Sequence, residues 1–190
     1  MKRLLREKKA LSQPVTTMIL LVIPVVLTGG VVMYAYQIIG ASLETELVVL
    51  SNQKIWVYEN GTSFAGFEVD NIGGKDIVID KLEVRGVEAS WSTVYYFRTQ
   101  LIVTDTLNCP NASGHRWTNF EYTPGNISDF TQASGDIPLP SGFTLVVYIV
   151  NPDNVRLDDI GNTISITVFT ESAQYQVLSD VKSAETSSGN

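Results

Sequence analysis

The chain has 190 residues with 13 basic and 20 acidic side chains, a formal net charge of −7. Five bases (Lys2, Arg3, Arg6, Lys8, Lys9) lie in the first ten residues beside one acid, Glu7, so residues 11–190 carry 8 bases against 19 acids. So acidic a body lacks the basic footprint that phosphate contacts need, which argues against a nucleic-acid partner, and the single cysteine, Cys109, rules out an intrachain disulfide.

The first element is an apolar run. No charged residue occurs from Ala10 to Leu43, and from Met18 to Ile39 the only strongly polar residues are Thr28 and Gln37. A helix rises 1.5 Å per residue, so about 20 such residues cross a bilayer. The run is longer than the roughly 7–15 apolar residues of a cleaved secretory signal. A cut at the small residues Gly40 and Ser42 would discard the segment, but its length and the aromatic pair Tyr34 and Tyr36, placed as an interface belt, favour retention. Bases precede the run and acids follow it from Glu44, so the positive-inside rule places the N-terminus in the cytoplasm and the body outside.

Pro14 sits near the start of this helix, where a missing N–H costs little. Pro24 lies deep inside, where it should bend or loosen the helix unless Thr28 or a neighbouring helix satisfies the freed carbonyl. Gly29 and Gly30 follow as a small, flat surface suited to close helix packing.

The segment Lys8-Lys9-Ala10-Leu11, followed by Ser12 and the opening LSQPVTTMILLVIPVV, resembles archaeal type IV pilins and archaellins. The resemblance is specific over residues 6–40. Beyond them it rests on the pattern of stretches such as DNIGGKDIVIDKLEVRG and NPDNVRLDDIGNTISITVFTESAQYQV, which look like the β-rich heads of that group. It implies that a prepilin peptidase cuts between Ala10 and Leu11, leaving a mature chain of 180 residues. Residues 1–10 would then be the leader, and residues 11–43 a helix that spans the membrane before assembly and forms the filament core after it. Residues 44–181 would be the head and 182–190 a flexible tail. The implied partners are other copies of the chain, the peptidase, and an assembly ATPase with its membrane platform. Bacterial pilins commonly carry Glu at the fifth mature position; here it is Val15, so that charge pairing is unavailable.

Past Glu44, period-two runs rich in β-branched and aromatic residues mark half-buried strands at 54–58, 64–71, 76–84, 92–103, 143–150, 163–170 and 174–178. In Asp76–Val84 the apolar residues shift phase from Ile77 and Ile79 to Leu82 and Val84, which predicts a bulge near Asp80 and Lys81. Turns are expected at Glu59-Asn60-Gly61, Asn71–Gly74, Arg85-Gly86 and Ile160-Gly161-Asn162. The expected fold is α+β, a long N-terminal hydrophobic α-helix followed by an antiparallel β-sandwich-like head domain. Asp105–Ser141, with four prolines, reads as a long surface loop or insertion.

Glycosylation sequons stand at Asn60, Asn111 and Asn126, each beside turn residues. Asp153, Asp158 and Asp159, with Asn151 and Asn154, offer the oxygen donors calcium prefers, without EF-hand spacing and in a segment equally suited to an ordinary turn. Trp56, Trp91, Tyr95, Tyr96 and Phe97 suit either a binding face or a core. No nucleophile elbow, Walker sequence, paired-cysteine or zinc-protease motif occurs. Cys109 and His115 make a poor case for a nucleophile and base, so neither catalysis nor a cofactor is expected. The expected role is a filament subunit for adhesion or motility. The alternative is a single-span surface protein whose β domain binds a ligand or partner.

Overall fold

The computed structural model describes residues 2–43, 45–112 and 116–184, with helix side chains described from 14 to 40. The chain divides into two units, Met1–Glu44 and Thr45–Asn190.

The first unit is one helix, α1 (Lys2–Leu43), which runs on through both Pro14 and Pro24. Its Pro14–Gly40 portion, 27 residues of mean hydropathy 2.4, is long and apolar enough to cross a membrane. Every side chain from 14 to 40 is exposed. A helix that is apolar all round has no face made for water, which sets it apart from a surface helix of a globular domain. Pro24 leaves the Leu20 carbonyl without its helical donor. Thr28 does not repair that loss: its hydroxyl donates to the carbonyl of Pro24 itself at 2.7 Å, a back-bond that tends to bend helices.

The second unit is strand-rich. Its strands are β1 (Val48–Val57), β2 (Ser63–Asn71), β3 (Ile77–Val84), β4 (Val87–Glu88), β5 (Val94–Thr99), β6 (Phe120–Thr123), β7 (Asn126–Ser128), β8 (Thr131–Gln132), β9 (Ile137–Leu139), β10 (Thr144–Val150), β11 (Thr163–Thr170) and β12 (Gln174–Ser183). Nine follow one hydrogen-bonded path, β4-β3-β11-β12-β1-β2-β10-β5-β8, with β9 also on β3; β6 and β7 form a separate hairpin.

That path curls. β2 and β3 are four strands apart in the sheet, yet Ala65, Phe67 and Val69 of β2 share one core with Ile77, Ile79 and Leu82 of β3. Asn71 at the end of β2 donates its side-chain amide to the carbonyls of Lys75 and Leu139, at 2.9 and 3.1 Å, and Arg98 of β5 reaches the Pro138 carbonyl at 2.9 Å. These bonds draw β9 on one arm of the sheet toward β2 and β5 on the other.

The pairing is not antiparallel throughout, as the sequence led us to expect. β1 and β12 run parallel, with Ile55 opposite Val181 and Val57 opposite Ser183. The cause is topological: the last strand returns to the free edge of the first in the same direction. β12 therefore continues to Ser183, with Ala184 buried, and takes up Lys182 and Ser183, which were expected in the tail; residues 185–190 lie outside the described set.

Two local expectations hold. Lys81 lies opposite Phe169 and Ile79 opposite Thr170, leaving Asp80 as the extra, exposed residue of a bulge that turns Ile77, Ile79, Leu82 and Val84 all inward. Arg85 and Gly86, both at positive φ (52° and 76°), close the β3–β4 hairpin between Val84 and Val87 as a two-residue turn of the favoured hand.

The entry to β1 is clamped. The N–H groups of Ile72 and Gly73 both donate to the Leu47 carbonyl at 3.0 Å, and that of Gly74 to Thr45 at 3.2 Å. A Cβ on Gly73 would lie 2.5 Å from the Thr45 carbonyl oxygen and 2.6 Å from the Leu47 nitrogen, both backbone atoms that cannot rotate away. Gly73→Ala is therefore expected to lower the stability of the β unit by roughly 2–3 kcal/mol. Gly135→Ala, whose Cβ meets nothing within 4 Å, should be close to neutral. Urea unfolding of the detergent-solubilised chain, followed by tryptophan fluorescence, tests the contrast.

Candidate functional site

Lys8, Lys9, Ala10 and Leu11 all fall within α1, and their side chains lie outside the described set. Further along, a Cβ at Gly29 or Gly30 would meet nothing within 4 Å, so the helix backbone is bare there. Together with Pro24 these residues make one stretch of α1 that a second helix could approach closely.

The three sequon asparagines are all exposed. Asn60 stands at the β1–β2 turn, where its side-chain oxygen accepts from the Thr62 N–H at 2.9 Å. Asn126 opens β7 and donates its amide to the Thr123 hydroxyl at 2.9 Å. Asn111 lies in the insertion, two residues before the undescribed 113–115.

The acidic segment is not gathered around a common point. Asp159 is buried and bound to Arg85 at 2.7 Å, and it accepts the Arg156 N–H at 2.9 Å. The bond from the Arg156 backbone and the Arg85 guanidinium hold its carboxyl below the usual range. Asp153 and Asp158 are exposed, and among the described residues no group of three or more His, Cys, Asp or Glu could hold a metal ion. Asp159 ties the β3–β4 turn to the β10–β11 connection.

The segment expected as a surface loop packs down on the outer face of the sheet. Leu107, Tyr122 and Phe130 form a second core with Trp56, Tyr58, Phe64, Val146 and Tyr148. Tyr95 stacks on Trp117 at 4.4 Å, Phe97 lies 5.7 Å from Tyr122 and 5.8 Å from Phe130, and Trp56 stacks on Tyr148 at 6.4 Å. Trp91 and Tyr96 pack against the first core. The aromatic residues therefore fill two cores rather than line a binding face. Burial pushes the Cys109 thiol up to about 11, which keeps it protonated and poorly nucleophilic at neutral pH; His115 lies outside the described residues.

Sequence reasoning missed Glu68. Along β2, Phe64, Gly66, Glu68 and Asp70 share the outer face, which period-two logic would assign to water. Under the insertion, Glu68 is 1% exposed. Its carboxylate accepts from Asn52 at 2.9 Å and Ser51 at 3.4 Å, and Asn52 also reaches the Asp105 carbonyl at 3.2 Å. Asn52, at positive φ, and Gln53 are the bulge that shifts register between Ser51 and Lys54. Burial, with Asp70 nearby, raises the Glu68 pKa to about 7 against the pull of the Asn52 and Ser51 bonds. The one available signal was the insertion's own run of aromatics, which needs a surface to cover.

No family model matches the chain, and no curated protein matches it. Among solved structures, a family 123 glycoside hydrolase from Clostridium perfringens, described for glycolipid glycan hydrolysis, is similar over 73% of this chain at 10% identity and a TM-score of 0.33. The matched region spans 27% of that enzyme, and so distant a likeness carries no functional argument.

A carboxyl whose folded pKa lies above its unfolded value of about 4.5 stabilises the fold most when protonated. That stability is complete below about pH 4.5 and is lost as pH rises through about 7. Glu68→Gln should therefore gain on the native chain by about 2–3 kcal/mol between pH 5 and 8. Urea unfolding of both proteins across that range measures the gain, and a constant difference would show that Glu68 ionises freely in the folded state.

Proposed function

We propose that the protein is a structural subunit of an archaeal extracellular filament, a pilin or archaellin serving adhesion or motility. The observation that carries this reading is the 27-residue apolar stretch of α1, exposed on every side and joined to a β unit whose two cores are filled by that unit's own residues. Such a helix needs a partner of its own kind or a lipid surround. The segment Lys8-Lys9-Ala10-Leu11 supplies the means of passing from one to the other.

In this reading the precursor sits in the membrane with its head outside, and prepilin peptidase removes residues 1–10. The assembly ATPase and its membrane platform then drive α1 from lipid into a bundle of sister helices. The bundle is the filament core, and the acidic curled sheet, serving as a sandwich-like head, coats the outside. Lipid tails are as apolar as the bundle, so the transfer gains little from the hydrophobic effect. Association depends instead on close packing, for which Pro24, Gly29 and Gly30 are placed. The role is structural, with no reaction assigned to the chain.

Replacing Lys9 with Glu or Ala10 with Trp should leave an uncleaved, membrane-held precursor and no filaments. Mass spectrometry of the N-terminus and electron microscopy of the cells read both outcomes, and filaments of normal yield from either variant would sink the reading. A native chain that keeps Met1 or Lys2 instead of starting at Leu11 would favour the permanently anchored surface protein.

Where the exported chain meets an N-glycosylating enzyme, Asn60 should be occupied ahead of Asn126. The Asn60 amide stands at a turn tip, whereas that of Asn126 must first leave Thr123. Glycopeptide mass spectrometry gives the ratio.

A further inference from the structure

One exposed apolar patch is explained neither by the two cores nor by helix assembly. Leu47, Ile72, Leu101 and Ile102 are 48, 59, 74 and 85% exposed. Ile72 and Ile102 flank a groove of about 290 Å³ floored by Asp70, Phe143 and Thr144. The Ile72 N–H donates to the Leu47 carbonyl at 3.0 Å, so the groove adjoins the point where the chain enters β1. Leu101 and Ile102 follow β5 directly, and the Leu101 N–H is held by the Thr99 hydroxyl at 2.9 Å. Pairing places these segments at one end of the sheet: Val48 opposite Asn71, Asp70 opposite Thr144, and Thr144 opposite Thr99.

α1 finishes at Leu43, and four further residues reach Leu47, a span of at most about 14 Å. The headgroup layer adds roughly 5–8 Å to each side of the hydrocarbon. A 27-residue apolar stretch, about 40 Å long, also exceeds the usual hydrocarbon thickness. Tilting accommodates that excess and lowers the end of the helix toward the headgroups. A second acidic head is a poor occupant beside Asp70, since like charges would have to be brought together.

We propose that, while α1 spans the membrane, the Leu47, Ile72, Leu101 and Ile102 patch docks the head onto the outer surface of the bilayer, with the aliphatic side chains among the lipid headgroups and upper acyl chains. The inference rests on the membrane-spanning stage of the proposed function. The patch holds the head against the membrane until assembly lifts it away.

The test uses the full chain with Cys109→Ser and single labelling sites at Ile102→Cys, Ile72→Cys, Asn60→Cys and Leu21→Cys. Each variant carries a polarity-sensitive fluorophore and is reconstituted at low density into phosphatidylcholine vesicles containing a quencher on the acyl chain. Docking predicts blue-shifted emission and severalfold stronger quenching at positions 72 and 102 than at 60, unchanged by tenfold dilution of the protein in lipid. Quenching at 21 but no more at 72 and 102 than at 60 overturns the proposal while leaving the span intact. No quenching at 21 removes the span, and the docking with it. Protection at 72 and 102 that disappears on dilution assigns the patch to a second copy and equally overturns the proposal.

Discussion

The head depends on one strand being covered on both faces. Of the residues in β2, only Asp70 escapes full burial. Ala65, Phe67 and Val69 point into the core enclosed by the curled sheet, while Phe64 helps build the aromatic core beneath the insertion. Without the curl the inner face of β2 would lose its cover, and without the insertion Glu68 and Phe64 would stand in water. The bulge at Asn52, the buried carboxylate and the packing of Tyr122 and Phe130 all follow from that double cover, because the insertion must be tied down where it crosses β1 and β2. Asn52 does so directly, bridging Glu68 and the Asp105 carbonyl.

The helix presents the opposite condition. From Pro14 to Gly40 none of its side chains is covered, and the two cores of the β unit are composed of other residues. The chain thus joins a domain that builds its own cores to a segment whose apolar side chains are all uncovered. A single charge-free run adjoining a basic cluster is enough to encode that division, which is why the helix was plain from composition alone.

Much of the head was legible too, wherever the signal was local. The phase slip between Ile79 and Leu82 announced a bulge because a two-residue repeat admits no other way to keep four aliphatic residues on one face. Arg85-Gly86 announced a turn because Gly86 readily takes the positive φ that a tight turn asks for. What escaped depended on residues far apart in the chain. The parallel β1–β12 pair joins Ile55 to Val181, and nothing in either strand specifies its neighbour's direction. β1 was read as starting at Lys54 because Asn52 and Gln53 interrupt the alternation that Val48–Leu50 had begun. The insertion looked like a surface loop because its prolines and polar residues masked a few aromatics whose partners lie on β1, β2 and β10. Period-two logic alone would leave Glu68 in solvent for the same reason: its cover comes from a segment roughly forty residues away. In the candidate site, the helix residues stood out by composition, whereas the role of Asp159 became visible only once Arg85 was beside it.

β1 is the strand through which the chain enters the head, and it lies in the interior of the sheet, between β12 and β2. Its first residues, Val48–Ser51, pair with β2 alone, and its last, Ile55–Val57, pair with β2 and β12 together. Drawing the strand out of the sheet would therefore have to break its bonds to β2 along its length and those to β12 at its far end. The N–H groups of Ile72, Gly73 and Gly74 fasten the residues just before it, Thr45 and Leu47. The entry of the chain is thus secured inside the sheet instead of at a free edge.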